Sequence, residues 1–151
     1  AGALKNAENL LEEDFILING DNYFEIDHKD LLKYHKNKNA LITIATTSLN
    51  QRTNGVCTTF NVRDGKIMKD FGKEVTSESN EAHAGTFAIN KDLIIRLPKN
   101  KTISLEKDIT PELVKQGKVF SKFYDEYYID IGTLEMYKEF IEDVKRGIVK
   151  L

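Results

Sequence analysis

Two aspartates stand where chemistry on phosphate groups would need them. Asp21 follows the apolar run Phe15-Ile16-Leu17-Ile18 and the pair Asn19-Gly20, and Asp130 ends the strand-like stretch Tyr127-Tyr128-Ile129 ahead of a helix. In open α/β sheets ligands bind beyond the carboxyl ends of strands, where loops from neighbouring units converge. Carboxylate oxygens are hard ligands, and Mg²⁺ takes one or two of them and completes its shell with water and substrate phosphates. A metal-assisted reaction at a phosphoryl group is the chemistry such a pair suggests. The acids are too far apart in the chain for local structure to pair them, so neighbouring strands of one sheet must do so.

Each acid also has a plainer reading. Asn19-Gly20 is a strong two-residue hairpin turn, in which case Phe15–Ile18 and Tyr23–Ile26 are simply paired strands. Asp130 can be an ordinary helix-entry acid facing the positive end of the helix dipole. His28 and His35 are spaced to share a helix face, but without a third ligand they read as surface or boundary residues. His83 precedes Ala84-Gly85 at the start of a strand, where it either meets a ligand or packs in a loop. Cys57, the sole cysteine, excludes an internal disulfide and a cysteine-based zinc site, and reads as a half-buried strand residue. There is no Gly-x-Ser-x-Gly elbow, His-Glu-x-x-His or Gly-x-x-x-x-Gly-Lys-Ser/Thr loop.

The elements that must position these residues follow from periodicity. Ala3, Leu4, Ala7, Leu10 and Leu11 have helical spacing, and Phe15–Ile18 lacks polar alternation, as in a strand buried on both faces of a mostly parallel sheet. Asp27 is placed to cap a helix carrying Leu31, Leu32 and His35, and Leu41 to Thr46 is β-rich, which completes a βαβ unit. Val56, Thr58, Phe60 and Val62 alternate up to Asp64-Gly65 and Ile67-Met68, a hairpin signal. Thr76 to Glu81 reads as loop, Gly85 to Ile89 as strand, and Lys91 to Leu97 as a short helix ended by Pro98. Ser104 or Thr110 caps a helix through Leu113, with Pro111 tolerated in the first turn. Val119 to Ile129 is β-prone, and Leu134, Tyr137, Ile141, Val144 and Ile148 mark a closing amphipathic helix.

With 151 residues, 40% of them hydrophobic and 30% charged, the chain suits one folded domain. Its 22 basic and 24 acidic residues leave a net charge of −2 and no basic stripe, which argues against nucleic acid as a partner. No apolar run approaches the ~20 residues of a membrane span, so a cytoplasmic protein is expected, and a homo-oligomer is compatible with this composition.

Taken together, Ala1-Gly2-Ala3-Leu4-Lys5-Asn6-Ala7, Leu17-Ile18-Asn19-Gly20-Asp21-Asn22-Tyr23-Phe24, Ala84-Gly85-Thr86-Phe87, Ser104-Leu105-Glu106-Lys107-Asp108 and Tyr128-Ile129-Asp130-Ile131-Gly132-Thr133 stand in the order of one family. The chain resembles the sugar-phosphate nucleotidyltransferases, above all those acting on mannose, manno-heptose or glucose 1-phosphate. The resemblance implies a Rossmann-like α/β/α sandwich with a mostly parallel sheet and an inserted β-hairpin. It implies a reaction that joins a nucleoside triphosphate to a sugar 1-phosphate and releases pyrophosphate. Asp21 and Asp130 would be the catalytic, Mg²⁺-holding acids, and Gly2 and Gly20 would meet the nucleotide. Gly55, Lys73, Glu74, His83, Ala84 and Gly85 would meet the sugar phosphate.

The chain also departs from that family. The Gly-rich loop ending in Gly-Thr-Arg has no counterpart here, so residues 1–151 are expected to be the central and C-terminal part of a nucleotidyltransferase domain, incomplete at the N-terminus and by itself inactive. The usual Glu-Lys order is inverted in Phe71-Gly72-Lys73-Glu74, and His83 replaces an Asn. The competing expectation is a non-catalytic sugar-nucleotide or sugar-phosphate binding module or subunit.

Overall fold

A computed structural model describes residues 1–50, 57–70 and 72–149. Its centre is a strand much longer than the sequence pattern implies. β6 runs from Glu81 to Asn90 and is buried at every position but its two ends. On one side it pairs with β1 (Asp14–Ile18), Phe15 opposite Ile89 and Ile18 opposite Thr86. On the other it pairs with β3 (Ile42–Thr47), Ile44 opposite Phe87. β7 (Val119–Phe123) lies beyond β3, followed by β5 (Lys66–Asp70) and β4 (Thr59–Arg63), and β4 also meets the start of β6.

The mostly parallel sheet expected from the sequence is corrected by this order. Among the described residues β3–β7 is the parallel pair, while β1–β6, β3–β6, β4–β5, β4–β6 and β5–β7 are antiparallel. The physical reason is the seat of β6. β1, α2 (His28–Asn37) and β3 do form a crossover with two strands of one direction, but antiparallel β6 is inserted between them. An unbroken apolar run reports burial and says nothing about a neighbour's direction.

Strand alternation sends side chains to opposite faces. Phe87 and Ile89 join Ile42, Ile44, Leu93, Leu113 and Val119 in one cluster, with α3 (Lys91–Ile95) and α4 (Thr110–Lys115). Ala84 and Ala88 join Ala45, Leu31, Phe24 and Tyr128 in the other, beneath α2. The small residues let α2 and a second, two-stranded sheet approach closely. That ribbon pairs β2 (Asn22–Phe24) with β8 (Tyr128–Asp130).

Local signals account for most boundaries. Asp27 accepts a hydrogen bond from the Lys29 N–H (2.8 Å) and caps α2. The β4–β5 hairpin turns at Asp64 and Gly65, both at positive φ (51° and 72°), as an Asp-Gly turn requires. Four expectations fail. The first helix, α1 (Gly2–Asn6), is short and a 3₁₀ turn follows at Glu8–Leu10, leaving Leu10 87% exposed. The β-prone run after Val119 breaks into β7 and β8. His35 is fully buried and no boundary residue. In α5 (Leu134–Lys145) Leu134 and Tyr137 are exposed while Asp143 is buried, because the Tyr127 hydroxyl donates to Asp143 (2.8 Å). No helix among the described residues is long and apolar enough to cross a membrane.

Candidate active site

The β2–β8 ribbon brings the two aspartates together. Asn22 stands opposite Asp130 in its register, and the Ile131 N–H donates to the Asp21 carbonyl at 2.8 Å. The expected route, through ends of neighbouring strands in one sheet, is therefore replaced by this separate ladder. The simple hairpin is overturned too: β1 pairs with β6 and β2 with β8. Nor does Asp130 cap α5. Thr133 does, accepting from the Met136 N–H (3.3 Å), while Asp130 Oδ1 accepts from the Gly132 N–H (2.8 Å).

Both acids line a cavity of about 160 Å³ that also takes in Asn19, Asn22, Lys73 and His83. Cys57, Thr58, Glu106 and Tyr128 complete its wall. Tyr128 reports the local field: burial, then the charge of Asp130, then Cys57 and Asp21 hold its hydroxyl well above the usual tyrosine range. The donors beside the ribbon are carboxylate and amide oxygens, the set a hard divalent cation takes, and two carboxylates match what Mg²⁺ uses. Among the described residues no group of three or more His, Cys, Asp and Glu is arranged to hold a metal.

The opposite wall comes from β6 and the loop after β5. His83 is buried, and burial pulls its imidazole down to about 4, so it is neutral. Its Nδ1 accepts from the Gly85 N–H (2.9 Å), which places the proton on Nε2, and that nitrogen is buried without a partner. Gly85 is required twice over. Its φ is +67°, and a Cβ there would stand 1.7 Å from Asn22 Oδ1, while its carbonyl accepts from the Asn19 N–H (2.8 Å). Lys73 follows Gly72, whose carbonyl is held by the Thr59 N–H (2.8 Å), and it reaches both this cavity and an adjoining one of about 560 Å³.

The remaining expected residues scatter. Ala84 is buried beneath α2, and Gly20 lies between Asn19 and Asp21, which both line the cavity. Gly2 lines a different cavity of about 510 Å³ with Asn6 and Lys101. Glu74 is absent from the cavity wall; its carbonyl accepts from the Thr59 hydroxyl. Gly55 lies outside the described residues. Sequence reasoning missed Thr58, Glu106 and Tyr128. Glu106 and Tyr128 each sit inside a segment that carries the family resemblance, which was the available signal, whereas Thr58 had none.

Comparison with known proteins agrees with this geometry. The family model described as nucleotidyl transferase matches residues 1–147. A glucose-1-phosphate adenylyltransferase of Lachnospira eligens is 31% identical over 144 residues, 90% of this chain and 34% of the relative. The mannose-1-phosphate guanylyltransferase catalytic subunit beta of Dictyostelium discoideum is 26% identical, over 87% of this chain and 37% of the relative. The chain thus spans about a third of the length of these curated relatives. HddC from Yersinia pseudotuberculosis, also solved in complex with GMP-PN, superposes with a TM-score of 0.76 at 26% identity, covering 95% of this chain and 61% of that one. A ribbon that unites two distant aspartates beneath a buried β6, in a chain matched over residues 1–147 by one family model, makes this a member of the sugar-phosphate nucleotidyltransferase family.

Proposed function

We propose that the protein carrying this chain transfers a nucleotidyl group from a nucleoside triphosphate to a sugar 1-phosphate and releases pyrophosphate. In this reading residues 1–151 are the central and C-terminal part of its nucleotidyltransferase domain. The observation that carries it is the convergence of Asp21, Asp130, Lys73 and His83 on one cavity. The GMP-PN bound by the Yersinia relative supports a nucleotide as one substrate.

In the reaction an oxygen of the sugar phosphate attacks the α-phosphorus, a new P–O bond forms, the bond to the β-phosphate bridging oxygen breaks, and pyrophosphate leaves. No protein nucleophile is needed, so the chain's task is to position two anions and neutralise their charge. Asp21 and Asp130 would hold Mg²⁺, which when bound supplies charge neutralisation at the phosphates. Lys73 supplies a charge-assisted contact to the sugar phosphate, and the His83 Nε2–H donates to the sugar. Glu106, on the cavity wall that Glu74 does not reach, accepts from sugar hydroxyls. Gly20, between two residues of the cavity wall, would meet the nucleotide, Gly2 would do so from the separate cavity it lines, and Gly85 lets the backbone pass close to Asn22.

The test is pyrophosphate release by the full-length protein with a panel of nucleoside triphosphates and of mannose, manno-heptose and glucose 1-phosphates. Release that needs both substrates and stops on chelation of Mg²⁺ is expected. Binding of nucleotide-sugar without release in any combination would make the protein a non-catalytic binding module instead.

A further inference from the structure

Three tyrosines follow β7 within five residues, and their hydroxyls meet different fates. Tyr124 donates to Asp30 at 3.0 Å and Tyr127 to Asp143 at 2.8 Å, each satisfying the rule that a buried hydroxyl finds a partner. Tyr128 is the most buried of the three, 3% exposed, yet its hydroxyl is not among the buried polar atoms left without a partner: it stays open to the cavity the residue lines and makes no hydrogen bond to the described residues. The ring itself needs no hydroxyl to pack, since it meets Phe24 edge-on at 5.4 Å between centroids.

The direction of that hydroxyl is given by its surroundings. Tyr128 lines the cavity with Asp21 and Asp130, and both charges act on it, yet it bonds to neither. It is thus a donor held beside two acids and open to what enters the cavity. We infer that the Tyr128 hydroxyl is a substrate-binding donor, bonded to a phosphoryl oxygen of the sugar 1-phosphate seated against Asp21 and Asp130. The inference rests on the function proposed above and adds to it a residue outside the acid pair and the lysine.

The decisive variant is Tyr128→Phe in the full-length protein, which keeps the ring and removes only the oxygen. The expected result is an approximately tenfold rise in the dissociation constant for mannose 1-phosphate in the presence of Mn²⁺, read by calorimetry, with a matching rise in its Michaelis constant. Mn²⁺ affinity without sugar phosphate should not move, and the melting temperature should hold, because the hydroxyl has no hydrogen bond to the described residues to lose. An unchanged dissociation constant overturns the inference. So does an equal loss of Mn²⁺ affinity in the absence of sugar phosphate, which would give the hydroxyl to a cation-bound water. A fall in melting temperature with unchanged binding overturns it in favour of a structural role. A wild-type protein that binds mannose 1-phosphate but releases no pyrophosphate sinks the proposed function alone, and the binding measurement still judges Tyr128.

Discussion

Two places in this molecule set a buried histidine among acids, and they are built on opposite plans. On the α2 side His35 Nδ1 shares a 2.9 Å hydrogen bond with the Thr43 hydroxyl, and its Nε2 faces Asp14 at 3.4 Å, a long contact short of hydrogen-bond alignment. Asp14 is itself held by Asn90 Nδ2 (2.8 Å) and approached by Lys36 (3.9 Å). Asp14 meets partners from the chain, although His35 Nε2 makes no aligned hydrogen bond, and α2 is tied through these contacts to β1 and β3. On the ribbon side His83 Nε2 is buried without a partner, the Tyr128 hydroxyl opens to the cavity, and Asp21 and Asp130 make no ion pair among the described residues. The first cluster meets its acid with partners from the chain; the second leaves its acids open to the cavity. Residue types alone do not separate them.

The largest effect that would sharpen this contrast lies in the acid pair. Asp130→Asn keeps the Oδ1 that accepts from Gly132 and removes the charge, so turnover of the full-length protein should fall by at least about 10²–10³-fold, with melting temperature unchanged. Asp21→Asn should behave alike. A stability loss with little kinetic effect would class the ribbon with the Asp14 cluster and break the comparison.

The converse variant is His35→Ala. It opens a cavity at a fully buried site and strips partners from Thr43 and Asp14, so a stability loss of roughly 2–4 kcal/mol is expected by urea melts, with unchanged Michaelis constants. That is a large share of the ~5–15 kcal/mol that holds a domain together.

The same contrast shows where the amino-acid pattern suffices. Asp27 as a cap, Asp64-Gly65 as a tight turn and the α2 crossover were legible because each depends on neighbours in sequence. The acids were legible as candidates, but their meeting depends on β2–β8 pairing across more than a hundred residues, and a three-residue strand leaves no periodicity. The direction of β6 was hidden for a related reason: burial on both faces erases the alternation that would distinguish its neighbours. His35 was misplaced because its burial rests on Asp14 and Thr43, partners supplied by two other strands. Tyr128 read only as part of a strand-like stretch, and nothing local shows that it lines the cavity.

Acid titration divides the two histidines more finely. In the unfolded chain each takes its proton near 6.5, but in the native state burial lowers both, His83 to about 4 and His35 in the same direction against the opposing pull of Asp14. Between those limits the unfolded state binds more protons, so stability is full above about 6.5 and drains as pH falls towards 4. For His83 the slope over this range is roughly 1 kcal/mol per pH unit. Urea melts at pH 7, 6 and 5 should show His83→Asn flattening this decline by about one proton, and His35→Ala flattening it less, because Asp14 partly compensates the native charge. Equal flattening would mean that the Asp14 contact has no electrostatic weight.

The smallest expected effect concerns Lys73, on the open side of the contrast. The lysine is exposed and lines two adjoining cavities without an ion pair among the described residues, whereas Glu74 beside it lines neither. A solvated charge in such a place contributes little to folding, so Lys73→Met should leave the melting temperature alone. A charge-assisted contact to a phosphate is worth about 1.5–3 kcal/mol, discounted here for water access, so the sugar-phosphate Michaelis constant should rise several-fold to about tenfold. That for the triphosphate should change far less, and Glu74→Gln should change neither. Equal rises for both substrates would mean that Lys73 shapes the loop after β5 and does not touch the sugar phosphate; no change in either would leave the lysine on a solvated margin and reduce the open cluster to its acids, His83 and Tyr128.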